Sequence, residues 1–158
     1  TINPLGYVPF LVLADGRTLH EGPVISQYIA DQAPATGLVP AAGSWERYKV
    51  MEWLTFIGTE LHKGFSPLFN PATPADYKPM LTERLVQRLT WVNGELAGKD
   101  YLTGSAFTVA DAYLFTVSNW AAFVGIDISG LAHLVAFRAR VAARPGVQAA
   151  MKAEGLLK

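Results

Sequence analysis

Phe10-Leu11-Val12-Leu13, a turn at Ala14-Asp15-Gly16 and a return through Arg17-Thr18-Leu19-His20 read as a β-hairpin, and after them every long pattern in this chain is helical. Two strands on their own expose a sheet face and two edges. The hairpin must therefore lean on helices, on a partner chain or on strands outside these residues. Pro23 suits the first turn of a helix, where its missing N–H loses no partner. Val24, Ile25, Tyr28 and Ile29 then recur at helical spacing as far as Pro34.

Residues 35–43, rich in Ala, Pro and Gly, read as a linker between a small unit, 1–34, and a larger one, 44–158. Within the larger unit Trp53, Leu54, Ile57 and Leu61 form the apolar stripe of a first long helix, which Pro71 and Pro74 end. Thr73-Pro74-Ala75-Asp76 sets a hydroxyl three residues before a carboxylate, which predicts a second long helix from there to about Ala97. Thr108-Val109-Ala110-Asp111 has the same spacing ahead of a helix ending before Gly125, and two closing helices are expected over 131–143 and 146–152. The expected fold class is α+β, mostly α. With 51% hydrophobic residues among 158, the chain suits one compact unit or two small, closely packed ones.

Thirteen basic residues balance thirteen acidic ones, so no charge footprint points to nucleic acid or an anionic membrane surface. No apolar run reaches the roughly 18 residues of a membrane span. Cysteine is absent, which excludes disulfides, thiolate metal sites and a cysteine nucleophile within these residues. Any reactive thiol must arrive with a ligand. No metal site and no membrane partner are expected, and the expected location is the cytoplasm.

Four places invite a chemical reading. A Val8-Pro9 peptide in a tight bend before a strand can adopt the cis form, leaving the Val8 N–H and C=O at the sheet edge; alternatively Pro9 is an ordinary edge-strand residue. Glu21-Gly22-Pro23 opens a helix whose free N–H groups favour an anion, or Glu21 simply caps it. Thr55, Thr59 and His62 share one helix face within an apolar pattern, so His62 lines a cleft or is a structural histidine. Thr108 and Asp111 form a capping box and belong to folding, although Asp111 has the look of an active-site carboxylate.

Taken together, Asn3-Pro4-Leu5-Gly6-Tyr7-Val8-Pro9, Leu19-His20-Glu21-Gly22-Pro23-Val24-Ile25-Ser26-Gln27-Tyr28-Ile29 and Thr108-Val109-Ala110-Asp111-Ala112-Tyr113 resemble the cytosolic glutathione transferases. Glu60-Leu61-His62-Lys63-Gly64-Phe65-Ser66-Pro67-Leu68-Phe69 is similar to their bacterial beta class. The resemblance implies the C-terminal half of a thioredoxin-like domain, hairpin plus helix, followed by an all-α C-terminal domain. It implies too that the leading strand–helix–strand of that domain is missing here. A molecule made of these residues alone is then expected to be weakly active or inactive, and a noncatalytic binding or assembly module is the alternative function.

By the same resemblance the substrate is glutathione, whose thiolate attacks an apolar electrophile or a disulfide, and the assembly is a homodimer. Val8 and Pro9 would bind the cysteinyl part of the tripeptide as an added strand. The Gly22 N–H would hold the γ-glutamyl carboxylate and Glu21 its ammonium group. His62 would donate to the thiolate and lower the thiol pKa. Lys63, Phe65 and Trp120 would wall the second-substrate pocket, with core packing an equal alternative for the two aromatics.

Overall fold

Gly16 carries φ 84, a left-handed conformation that only glycine adopts without cost, and it closes the turn between β1 (Phe10–Val12) and β2 (Thr18–His20). The two strands are antiparallel, with Phe10 opposite His20, Leu11 opposite Leu19 and Val12 opposite Thr18. Phe10 and His20 meet edge to face at 4.6 Å, the contact expected of a directly opposed pair. This is a computed structural model, and it describes residues 3–157; Thr1, Ile2 and Lys158, the outermost residues of the two expected units, lie outside the described residues.

α1 (Gly22–Asp31) follows the hairpin at once and packs on both strands. It ends three residues before Pro34, and a 3-10 turn (Pro34–Thr36) leads into the segment expected as a linker. That segment is tied down. Val39 is buried in the core, the Leu38 carbonyl accepts the Val109 N–H at 3.0 Å, and the Pro40 carbonyl accepts from Arg47.

Arg47 joins the hairpin side to the helices. It belongs to α2 (Trp45–Phe56), whose Ser44 N-cap accepts the Arg47 N–H at 3.1 Å. Its guanidinium makes a two-pronged pair with Asp31 at 2.9 and 2.8 Å and also donates to Gln27, both on α1. Bidentate pairing fixes orientation as well as distance, so α1 cannot swing on α2 without breaking it.

The first long helix differs from a plain α-helix. After α2 its backbone widens into a π segment (Ile57–His62) and then tightens again into α3 (Lys63–Phe69), which contains Pro67. π turns add a residue to the helical repeat and re-aim the side chains that follow them. Gly64 is required for packing: a β-carbon there would stand 2.8 Å from Leu85 Cδ2 on α4 (Lys78–Glu95).

α4 begins later than expected, at Lys78 with Pro79 in its first turn. The Thr73 hydroxyl does not cap it. It donates instead to the Pro67 carbonyl at 2.6 Å, which also accepts the Asn70 N–H at 3.2 Å at the end of α3. α5 (Val109–Phe123) is the central helix and packs against α1, α2, the π segment and α6 (Ala132–Ala142). α7 (Pro145–Ala153) closes the chain against α6. Phe65, Leu85, Leu89, Leu114, Leu134 and Phe137 are fully buried at the centre, each contributing roughly 1.5–3 kcal/mol of burial. The fold is a small two-stranded sheet with a mostly helical body, consistent with a thioredoxin-like domain followed by an all-α domain.

Candidate active site

The bend before β1 is built from one buried side chain. Asn3 donates from its amide to the Tyr7 carbonyl at 2.6 Å and accepts the Leu5 N–H at 3.0 Å, which curls residues 3–7 into a tight loop. The Val8-Pro9 peptide that follows is cis. Val8 is 88% exposed, and among the described residues its N–H and C=O make no hydrogen bond.

The helix that starts α1 meets this bend directly. A β-carbon on Gly22 would lie 3.5 Å from Pro9 Cγ, so the proline ring covers the glycine and brings Val8-Pro9 and Glu21-Gly22 into one corner. Glu21 is exposed and holds φ 68, the only non-glycine residue with positive φ among those described. Its side chain makes no capping bond. Such a conformation costs about 1–3 kcal/mol and persists where the surroundings enforce it.

His62 closes the π segment and reaches across to α5. Its Nδ1 lies 2.8 Å from the Tyr113 hydroxyl, and its ring meets Trp120 edge to face at 4.7 Å. Nε2 has no protein partner and is not sealed off, since no buried side-chain nitrogen among the described residues is left without one. Burial first, and then the charge of neighbouring Lys63, lowers the His62 pKa below the usual histidine value; Glu21 opposes that slightly. Burial first, and then Glu21, raises that of Tyr113. A neutral imidazole and a protonated phenol are the forms present near neutral pH.

Lys63 is exposed beside His62, and Trp120 is half-buried. Of the two alternatives for Phe65, pocket wall and core packing, the side chain takes core packing. It is 0% exposed and packs edge to face under Trp120 at 6.0 Å, continuing the buried stripe of Ile57 and Leu61 at a spacing of four. One turn later Phe69 is 47% exposed and lies 5.8 Å from the same indole, so the outward aromatic is Phe69. Tyr113 and Phe69 both stood in quoted motifs without a role; 51 residues separate Tyr113 from His62, and no local spacing reveals that pair.

Thr108 and Asp111 bond to each other and to the backbone at the start of α5. The Asp111 carboxylate is fully buried and accepts the Leu102 N–H at 2.8 Å, the Thr108 N–H at 2.8 Å and the Thr108 hydroxyl at 3.1 Å. The Thr108 hydroxyl in turn accepts the Ala110 N–H at 3.3 Å, completing a capping box at the start of α5. Among the described residues no three His, Asp or Glu side chains are grouped to hold a metal, and no helix is long and apolar enough to cross a membrane. A cavity of about 460 Å³ opens beside Lys99, Asp100, His133 and Arg140, and none of the residues discussed above lines it.

Comparison with known proteins gives a consistent answer. The family model described as glutathione S-transferase, C-terminal domain, matches residues 56–145. Glutathione S-transferase GstA of Escherichia coli O157:H7 is 50% identical over 155 residues, covering 98% of this chain and 77% of that protein. Two solved structures superpose closely. A sphingomonad glutathione S-transferase complexed with glutathione has a TM-score of 0.94 at 49% identity, covering 99% of this chain and 78% of its own. The bacterial beta class enzyme of Sphingomonas chungbukensis has a TM-score of 0.95 at 46% identity with the same coverage. Nothing in these relatives favours the noncatalytic alternative. The chain belongs to the glutathione S-transferases, in a beta-class-like branch, and is an enzyme that uses glutathione as its substrate.

Proposed function

We propose that glutathione lies along the Val8-Pro9 bend, with its γ-glutamyl end at Glu21-Gly22 and its sulfur beside His62. The contact of Pro9 with Gly22 carries this reading, since it joins a free strand edge to a helix start in one corner. Val8 offers one N–H and one C=O to the cysteinyl backbone, the pairing of an added antiparallel strand. Gly22 offers a backbone N–H to the γ-glutamyl carboxylate, and Glu21 a carboxylate to its ammonium group.

Chemistry follows from the thiol. On binding, the thiol proton passes to solvent and the His62 Nε2–H donates to the sulfur anion, which holds the thiol pKa down. The sulfur attacks an electrophilic carbon, a C–S bond forms, and the leaving group departs with its electron pair. With a disulfide in that place, an S–S bond forms as the old one breaks and a thiolate leaves. Lys63 and Trp120, backed by Phe65, form the wall against which an apolar substrate stacks.

We assign the chain to the beta class on the stretch from Glu60 to Phe69 and the likeness to the Sphingomonas chungbukensis enzyme. A homodimer is supported by the exposed row Trp45, Tyr48 and Met51 along α2, and sedimentation checks it. A cytoplasmic setting and a detoxifying role belong to the same proposal, checked by fractionation and by survival of electrophile exposure. Two assays test the chemistry: conjugation of a chlorinated nitrobenzene and reduction of a mixed disulfide of glutathione. Turnover in either, lowered at subsaturating glutathione in Glu21→Gln and in His62→Ala, supports the reading; turnover unaffected by both substitutions contradicts it.

A further inference from the structure

We propose that Tyr113 is a positioning residue for His62: its hydroxyl donates to Nδ1, which fixes the ring proton on Nε2 and presents that N–H to the bound sulfur. This rests on the reading of His62 as the thiolate's donor. The 2.8 Å separation is that of a strong hydrogen bond, and only one of the two groups can be the donor. If Nδ1 carried the proton, Nε2 would turn a bare lone pair toward the sulfur and repel it. With the phenol donating, the imidazole has a single tautomer and a single free donor.

The setting holds that arrangement in place. Trp120 stands at 89° to the imidazole 4.7 Å away, which fixes the ring plane. Tyr113 lies on the second turn of α5, two residues beyond the buried Asp111 cap that anchors the helix start. Its hydroxyl sits over Gly58, 3.7 Å from where a β-carbon would stand, one turn ahead of His62 on the facing element. Burial and Glu21 both keep the phenol protonated, and burial and Lys63 keep the imidazole neutral, so donor and acceptor are each in the required form. Tyr113 itself need touch no substrate.

The test is a nitrogen-15 long-range NMR correlation of His62 in the ligand-free chain and in Tyr113→Phe, with His62→Ala for assignment. The unsubstituted chain is expected to show the Nε2–H pattern alone, and Tyr113→Phe a mixture of both tautomers. In parallel, Tyr113→Phe should lower kcat about fivefold at unchanged KM for glutathione, the size a neutral hydrogen bond carries. An Nδ1–H pattern in the unsubstituted chain, or an unchanged pattern in Tyr113→Phe, overturns the proposal. So does an unchanged kcat in Tyr113→Phe when His62→Ala is impaired. If the tautomer shifts as expected but His62→Ala turns over normally, the donor role of His62 is what fails.

Discussion

Glu21 and Asp111 are both carboxylates at the start of a helix, yet the protein treats them in opposite ways. Asp111 is sealed in the core, where it accepts two backbone N–H groups and a hydroxyl. Glu21 is exposed, unpartnered as a cap and held at φ 68. The difference shows how to read a charge near a helix end. Where the protein's own donors use up the carboxylate, the residue serves folding; where a strained backbone holds it out unused, a ligand is the expected user.

Substitution can break that contrast at its strongest point. Asp111→Ala leaves the Leu102 and Thr108 N–H groups buried without acceptors, and each such group costs about 1–3 kcal/mol. The melting temperature should fall by roughly 10 °C, with glutathione affinity at lower temperature unchanged. A melting curve that does not move removes Asp111 from the folding side. On the other side, His62→Ala should lower kcat by about 10- to 100-fold, the loss expected for a donor to a charged sulfur, with little change in melting.

Smaller effects sharpen the contrast further. Glu21→Gly relieves the positive φ, and calorimetry should record a gain of about 1 kcal/mol in stability alongside weaker glutathione binding. The pH effect is smaller still. Burial and Lys63 depress the His62 pKa below the unfolded value of about 6.5, so as pH falls below that value the unfolded chain takes up a proton that the folded chain resists. Stability present above pH ~6.5 is therefore lost toward the lower folded pKa. His62→Phe, which cannot titrate, should lose less stability over that interval in urea titrations at stepped pH.

What could be read from the sequence depended on whether the cause was local. The box at Thr108 and Asp111 was legible because both partners lie within one turn. The same spacing at Thr73 and Asp76 misled, since Thr73 was taken up by the Pro67 carbonyl six residues back and the helix began at Lys78. The hairpin register and the meeting of Pro9 with Gly22 follow from short connections. The π segment does not: it arises where the helix packs against α4 and α5, and no residue between Ile57 and His62 announces it. Phe65 and Phe69 lie four residues apart on α3, against the same indole, yet only Phe65 is buried, the other standing at the last residue of the helix. The pairing of His62 with Tyr113 was hidden for the same reason, being a product of helix packing.

The central claim is that two similar carboxylates divide binding from folding, and one crossed measurement addresses it. Glutathione titration calorimetry and thermal melting are run together on the unsubstituted chain, Glu21→Gln and Asp111→Asn. Glu21→Gln should weaken glutathione binding about tenfold, as loss of one charge-assisted contact implies, and leave the melting temperature in place. Asp111→Asn should do the reverse. Glutathione bound equally well by Glu21→Gln, or a melting temperature lowered as far by that substitution as by Asp111→Asn, would contradict the account.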